Sequence, residues 1–372
     1  MTHSREIPKY QWIRDEILSL IQAGAIRPGD KIPIESALAT QFFVSRQTIR
    51  QAVGELVQCG FLERIQGSGT YYIGQPTPSA NHPARGIIGV ITTYISDYIF
   101  PHIIRGIEER LSAKGYSPLL FTTQNDVGKE RKALEDIMSK GVDGIIAEAT
   151  KSAYPNPNID LFHQIQSKGI PVVMLHAAYP DLEVPVIEVD DRRGSYEAVR
   201  HLIELGHHRI GTIMKMDDRQ GLRRMEGVLL ALNESSYTYD SDHIAFYTTE
   251  QMTTIAANYA QSITRMRQSQ RPTAVFCYND LIATQLLTVL REHAIAVPDK
   301  LSIVGFDDAP MAAQSYPLLT TVEHPKYSMG TLAGDWMLQM IRREPVLQQV
   351  HTFTPNLVQR SSVRALETVA KN

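Results

Sequence analysis

Between residues 10 and 58 the apolar positions fall three times at the three-to-four-residue spacing of an amphipathic helix. Ile13, Ile17, Leu20 and Ile21 predict a helix over Tyr10–Ala23, which Gly24, Pro28 and Gly29 end. A second, short helix is predicted over Glu35–Phe42, with Ala37, Leu38 and Phe42 facing inward. Ser45 is a good N-cap for a third, Arg46–Gln58, whose apolar face is Ile49, Ala52, Val53 and Leu56 and whose end Gly60 closes. The pattern then shortens to two strand-like runs, Phe61–Ile65 and Thr70–Ile73, around the turn Gln66-Gly67-Ser68-Gly69. Three helices followed by a glycine-bearing hairpin is the winged helix-turn-helix order, an α+β head.

Beyond residue 86 the pattern changes again. Short continuous apolar runs predict strands at Gly86–Thr92, Pro118–Thr122, Gly144–Ala147, Val172–Leu175 and Val186–Val189. Five more are predicted at Ile210–Met214, Ile244–Phe246, Ala274–Cys277, Ser302–Gly305 and Thr320–Val322. Amphipathic helices lie between most of them, among them His102–Lys114, Lys129–Lys140, Tyr196–Leu205 and Leu281–His293. Strands without polar alternation, separated by helices, are buried on both faces, so the body is α/β with parallel sheets. Ten strands over this length fit two lobes better than one sheet.

Composition divides the chain at one place. Residues 74–86 hold three prolines and two glycines and almost no apolar side chain, as an extended linker does. The expected organisation is a head at 1–75, a linker at 76–85 and a body at 86–372. At 43% hydrophobic and 21% charged residues, the 372-residue chain is composed like an ordinary soluble protein. No apolar run approaches a membrane span, and Met1–Ile13 lacks the apolar core of a signal peptide. Cys59 and Cys277 lie far apart and read as ordinary buried thiols in a reducing cytoplasm. Residues 1–75 carry eight Lys/Arg against seven Asp/Glu, so no strongly basic head announces nucleic acid. The case for DNA rests on where the arginines stand.

On the third helix the positions opposite the buried face are Arg46, Gln47, Arg50 and Gln51. Arg46 and Arg50, four apart, share one face near the helix start, where a recognition helix meets base edges. An arginine fork matches the O6/N7 edge of guanine, and glutamine can read adenine. Alone, this face could be a solvated helix surface. The hairpin that follows offers a wing tip, with Gln66 reaching for the minor groove. Tyr10 with Ile13, Gly29-Asp30-Lys31-Ile32-Pro33, Glu35, Val44-Ser45-Arg46-Gln47-Thr48-Ile49-Arg50, Gly60 and Gly67-Ser68-Gly69-Thr70 resemble the GntR-type winged helix over its whole length. That resemblance implies double-stranded operator DNA as partner, with Lys9, Glu35, Arg46, Gln47, Arg50 and Gln66 facing it. Ile34 departs from it, standing where that family usually has a serine that caps the second helix.

In open α/β sheets ligands bind beyond the carboxyl ends of the strands. Those positions here carry Thr93-Tyr94 with Asp97-Tyr98, Glu148 with Lys151, and His176. They also carry Asp190-Asp191, Lys215 to Arg224, Tyr278-Asn279-Asp280, Asp307-Asp308 and His324. Carboxylates, amides and arginines serve hydroxyls, and tyrosines stack on the apolar face of a sugar ring, so a sugar or similar polyol is the expected ligand. Asp190, Asp280 and Asp308 read as caps or hinge residues instead. The stretches around Gly106, Gly141-Val142-Asp143-Gly144, Gly169-Ile170-Pro171-Val172, His201–His207, Pro272–Asp280 and Leu301–Asp308 resemble the LacI/GalR effector domain, a two-lobed fold similar to type I periplasmic sugar-binding proteins. The resemblance implies ligand contacts at Arg224, Asn279 and Asp307, lining positions at His176 and His324, and a homodimer made through the body. The expected sugar-binding set is therefore Tyr94, Tyr98, Glu148, Lys151, His176, Arg224, Asn279, Asp307 and His324.

A GntR-type head on a LacI/GalR-type body resembles the arabinose-operon repressors, which implies L-arabinose as inducer. Another pentose or a hexose, or activation in place of repression, is the alternative. Gln47 stands where those repressors can carry histidine. An enzyme is the rival class, but the chain has no nucleophile elbow, zinc-ligand spacing or dinucleotide fingerprint. A transport-associated binding protein is the other, opposed by the DNA-binding head. No catalytic residue, metal or cofactor is expected; His207-His208 belongs to a turn that is structural in the LacI/GalR family.

Overall fold

The computed structural model describes residues 9–22, 26–58, 61–65, 68–73, 85–95, 98–235, 237 and 240–366. Gln66, Cys59, Gly60, Asp97 and the linker positions 76–84 lie outside the described residues. The chain divides into two compact units, Met1–Ala84 with Leu338–Leu347 and Arg85–Met337 with Gln348–Asn372.

In the head, α1 (Lys9–Gln22), α2 (Glu35–Gln41) and α3 (Arg46–Gln58) are followed by the antiparallel strands β1 (Leu62–Ile65) and β2 (Gly69–Tyr72). Ile13, Ile17, Leu38, Ile49, Ala52, Val53, Leu56 and Leu62 form one core, so each helix buries the stripe its periodicity predicts. Two positions depart from it: Leu20 is half-buried outside that core while Leu18 is buried within it, and Ala37 is exposed, because α2 is so short that Leu38 alone is fully buried on it. Ser45 caps α3 by accepting from the Thr48 amide at 3.2 Å, whereas Ile34 gives α2 no side-chain cap. Residues 29–32 run beside β2, with bonds Gly29 N–Tyr72 O and Ile32 N–Thr70 O.

The body begins with β3 (Ile87–Thr92), α4 (Phe100–Ser112), β4 (Ser117–Thr122), α5 (Val127–Lys140), β5 (Gly144–Glu148), α6 (Ile159–Ser167), β6 (Val172–Leu175) and β7 (Val186–Val189). It continues with α7 (Asp191–Glu204), β8 (Ile210–Lys215), α8 (Arg219–Glu234), β9 (Ile244–Tyr247), α9 (Ile255–Arg265), β10 (Ala274–Cys277), α10 (Asp280–Glu292) and β11 (Ser302–Val304). The last elements are β12 (Thr321–Val322), α11 (Lys326–Ile341), β13 (Val350–Phe353) and β14 (Leu357–Val358). A six-stranded parallel sheet in the order β13-β7-β6-β5-β3-β4 makes the first lobe, and a four-stranded one, β11-β10-β8-β9, makes the second. The predicted strands appear within a residue or two of their expected bounds; β13 and β14 were not expected.

Three passages of chain join the lobes. β7 belongs to the first sheet while α7 packs on α8 in the second lobe. β12 pairs with β14 beside the second lobe, yet α11 returns to α4, where a Cβ on Gly106 would fall 2.5 Å from the Tyr327 carbonyl. β13 pairs with β7 in the first sheet before the chain crosses again to β14. The strand ends of both sheets therefore face each other across a cleft with three crossings at its edge.

Candidate ligand cleft and DNA-facing surface

Each charged group of the cleft is set by a strand end or a helix start. Asp190 caps α7 through the Arg193 amide, which leaves the next residue, Asp191, buried and turned to the cleft. Asp218 caps α8 through the Gly221 amide at 2.8 Å. Only glycine fits there, because a Cβ on Gly221 would sit 1.9 Å from the Lys215 carbonyl; the close approach brings Gln220 and Arg224 of α8 against the end of β8.

Arg224 is the centre of the second-lobe wall. Its Nε donates to Asp191 Oδ1 at 2.8 Å, Nη2 to Asp307 Oδ1 at 3.1 Å and Nη1 to the Tyr278 carbonyl at 2.6 Å. The guanidinium lies 3.6 Å from the Phe306 ring centroid, a cation–π arrangement in a buried setting. Burial opposes its charge, but Asp307 and Asp191 outweigh that and raise its pKa well above the usual value. Burial lifts the Asp191 carboxyl to about 6 in spite of Arg224. Below this, burial disfavours the Lys215 charge, yet Asp218 and Asp217, at 2.8 and 3.0 Å, raise its pKa.

The first lobe contributes a relay. Glu148 Oε2 accepts from the amide and hydroxyl of Thr93, both at 2.7 Å, and Oε1 pairs with His176 Nδ1 at 3.1 Å. His176 Nε2 meets His324 Nε2 at 3.0 Å. Burial works against a charged His176, but Glu148 reverses this and its pKa is raised. His324 is pushed well below the usual value, by burial first and then by His176, Lys326 and Arg224. Tyr98, at the end of the first-lobe loop after β3, donates across the cleft to Asp307 Oδ2 and to the Phe306 carbonyl.

These groups enclose a cavity of about 140 Å³. Eight of the nine residues expected at a sugar site line it: Tyr94, Tyr98, Glu148, His176, Arg224, Asn279, Asp307 and His324. Lys151 does not. Its backbone is left-handed, at φ +42, and its ammonium leaves the cavity to meet Glu250 at 2.5 Å and Asp217 at 3.8 Å on the second lobe. Asn279 lines the wall but also caps α10 through the Ile282 amide. Asp280 is not the cap; it clamps the Ala309 amide and the Thr321 hydroxyl where the sheet edge turns. Asp308 holds Arg360 at 2.7 Å. His207 is spent on Thr273 and the Arg364 carbonyl.

The sequence reading left out Asp191, Lys215, Asp218, Gln220, Tyr247 and Tyr278 from the cleft set, although all line it. The strand-end positions named Asp191 and Tyr278 but did not carry them into the set, held Lys215, Asp218 and Gln220 only inside the undivided stretch Lys215 to Arg224, and missed Tyr247; the cap positions of α7 and α8 single out Asp191 and Asp218. Among the described residues, two cavity-lining polar atoms are buried without a partner, Gln220 Oε1 and His324 Nδ1. The cations and carboxylates of the wall are paired with one another, and these two neutral atoms are the ones without a partner among the described residues.

On the head, Lys9, Arg46, Gln47 and Arg50 are exposed, and Glu35 is half-buried. Glu35 Oε2 accepts from Arg50 Nε at 3.2 Å and Oε1 from Arg64 Nη2 at 3.0 Å. Gln66, expected at the wing tip, lies outside the described residues.

Known proteins resemble both units. Residues 9–71 match the model of the bacterial regulatory proteins of the gntR family, and residues 199–363 that of the periplasmic binding protein-like domain. The arabinose metabolism transcriptional repressor of Geobacillus stearothermophilus is 41% identical over 97% of this chain and 99% of its own. That of Halalkalibacterium halodurans is 41% identical over 90% of each. Among solved structures, the transcription regulator CcpA of Lactococcus lactis aligns with a TM-score of 0.66 and 26% identity, over 75% of this chain and 99% of that one. A periplasmic binding protein/LacI transcriptional regulator from Alkaliphilus metalliredigens, complexed with D-xylulofuranose, aligns at 0.64 and 25%, over 75% and 99%.

Proposed function

The chain belongs to the family of the arabinose metabolism transcriptional repressors, and from that premise we propose that L-arabinose, bound in the cleft of the body, releases the head from operator DNA. It is a DNA-binding transcriptional repressor with a winged-helix head and a LacI-type sugar-binding body. The observation that carries the inducer assignment is the cleft's charge pattern. Its ions are paired within the wall, the four carboxylates against Arg224 and Lys215 disfavour an acid, and Gln220 and His324 offer unpaired neutral atoms, which suits an uncharged polyol. The rings of Tyr94, Tyr98 and Phe100, which line the cavity, are the apolar surface proposed to meet a sugar ring.

The paired groups act as ligand and hinge contacts rather than as acid–base machinery, and the body works without a metal or cofactor. Two heads on a palindromic operator give the contact area that one winged helix lacks, so the working form is a homodimer. Access to DNA puts it in the cytoplasm; among the described residues no helix is long and apolar enough to cross a membrane. Another pentose is the second reading, suggested by the relative that holds D-xylulofuranose. Calorimetric titration with L-arabinose, D-xylose and D-ribose decides between them. The first is expected to bind tightest, and no heat with any of the three would refute the assignment.

A further inference from the structure

Strand β1 carries a cation that the helix-based view of DNA recognition leaves unused. Side chains alternate along a strand, so Arg64 projects from the same face as Leu62, which is buried in the head core. Arg64 thus extends along the helix side of the hairpin, past the edge of that core. There its Nη2 reaches Glu35 Oε1 at 3.0 Å, while the other oxygen of the same carboxylate holds Arg50 Nε at 3.2 Å. One carboxylate from α2 ties the recognition helix to the wing.

Both arginines are open to water, Arg64 at 46% and Arg50 at 67% exposure, and Glu35 is only half-buried, so solvent screens these pairs and stability does not account for the second arginine. What the arrangement does is set two guanidiniums side by side on a surface with one net positive charge. An arginine fork matches two phosphate oxygens at once. We propose that Arg64 is a DNA-contact residue that binds a backbone phosphate beside the site read by Arg50, and that Glu35 is the positioning residue for both. This rests on the DNA-binding reading of the head.

Counterion release makes the test direct, since each neutralised phosphate contributes roughly 0.9 to the slope of log affinity against log salt. Full-length chain is titrated over a range of KCl on a duplex it has enriched from a random-sequence pool, and on a scrambled duplex. Arg64→Ala is expected to lower the slope by about 1 and to weaken both duplexes by a similar factor. Arg64→Lys keeps the slope. Glu35→Gln retains both cations and so keeps the slope, but narrows the ratio between the two duplexes. An unchanged slope in Arg64→Ala overturns the contact whatever the affinity does, and an unchanged ratio in Glu35→Gln overturns the positioning role. Failure of the wild-type chain to bind either duplex in a salt-dependent way would instead defeat the DNA-binding reading.

Discussion

Asp307 links the two walls of the cleft through one side chain. Its two oxygens take Arg224 and Tyr98 from opposite sides, its carbonyl takes Lys326, and its backbone sits at φ +98. Removing the whole side chain would leave a buried guanidinium half-paired, at a cost of about 3–5 kcal/mol. Asparagine keeps the volume and tolerates the left-handed backbone. Asp307→Asn is therefore expected to fold and to bind operator as the wild type does without sugar, while its sugar affinity falls by about tenfold or more, the loss of one charge-assisted hydrogen bond. Calorimetry and gel shifts on the same variant check both halves, and normal induction would take Asp307 out of the site.

The two facing histidines make stability depend on pH in opposite ways. His324 is depressed in the folded chain, so its contribution is intact above its usual value of about 6.5 and is lost as pH falls below it, when the unfolded chain takes up a proton that the folded one refuses. His176 is raised, so its contribution is full below that value and fades as pH rises through its folded pKa. Between pH 7 and pH 5 the His324 contribution therefore lowers stability, while the raised His176 and the Asp191 carboxyl, lifted to about 6, act the other way. The limiting slope is about 1.4 kcal/mol per pH unit for one proton. His324→Gln removes that contribution, so on going from pH 7 to pH 5 the variant should lose less stability than the wild type in scanning calorimetry; an equal change in both would assign the effect elsewhere.

At the scale of elements, the sequence shows most clearly where an apolar run is long or a cap is specific. Arg46–Gln58 was legible to the residue because Ser45 marks its start and four apolar positions mark its face. Ser45→Ala removes the bond to the Thr48 amide and should cost the head about 1 kcal/mol, read as a lower melting temperature, and weaken operator binding by disordering the first turn of α3. β13 escaped notice because Val350–Phe353 alternates exposed and half-buried residues at the sheet edge, without the continuous apolar run of an inner parallel strand. β14 is two residues long and exists only through its partner β12.

Lys151 shows why a strand-end rule overcounts. It follows β5 by three residues, as a cleft residue could, but a left-handed backbone turns it to the opposite lobe. There it works as a latch with two neighbouring cross-lobe contacts, Asn125 Nδ2 to Thr249 Oγ1 at 2.6 Å and the Arg219 amide to Ser152 Oγ at 2.9 Å. Lys151→Ala should weaken sugar binding by up to about fivefold, the worth of a partly exposed pair, because it loosens the closed cleft rather than removing a ligand contact. A loss as large as that of Asp307→Asn would put Lys151 back in the site.

For the molecule as a whole, the central relation is thermodynamic. The lobes are joined by contacts between Tyr98 and Asp307, His176 and His324, and Lys151 and Glu250, and a sugar held by both walls favours that closed form. A ligand moves an equilibrium only by its different affinity for the two states. If closure disfavours operator binding, operator must disfavour sugar by the same factor. Two-lobed architecture was readable from ten apolar runs, but the closed pairing was not, since it depends on residues about one hundred to two hundred positions apart.

The most direct measurement takes the full-length chain and one enriched duplex, and determines operator affinity with and without saturating L-arabinose, then L-arabinose affinity with and without saturating duplex. The account predicts that both affinities fall, by the same factor and by at least about fivefold, the lower range of allosteric coupling. L-Arabinose that binds the chain yet leaves operator affinity unchanged, or raises it, would contradict it.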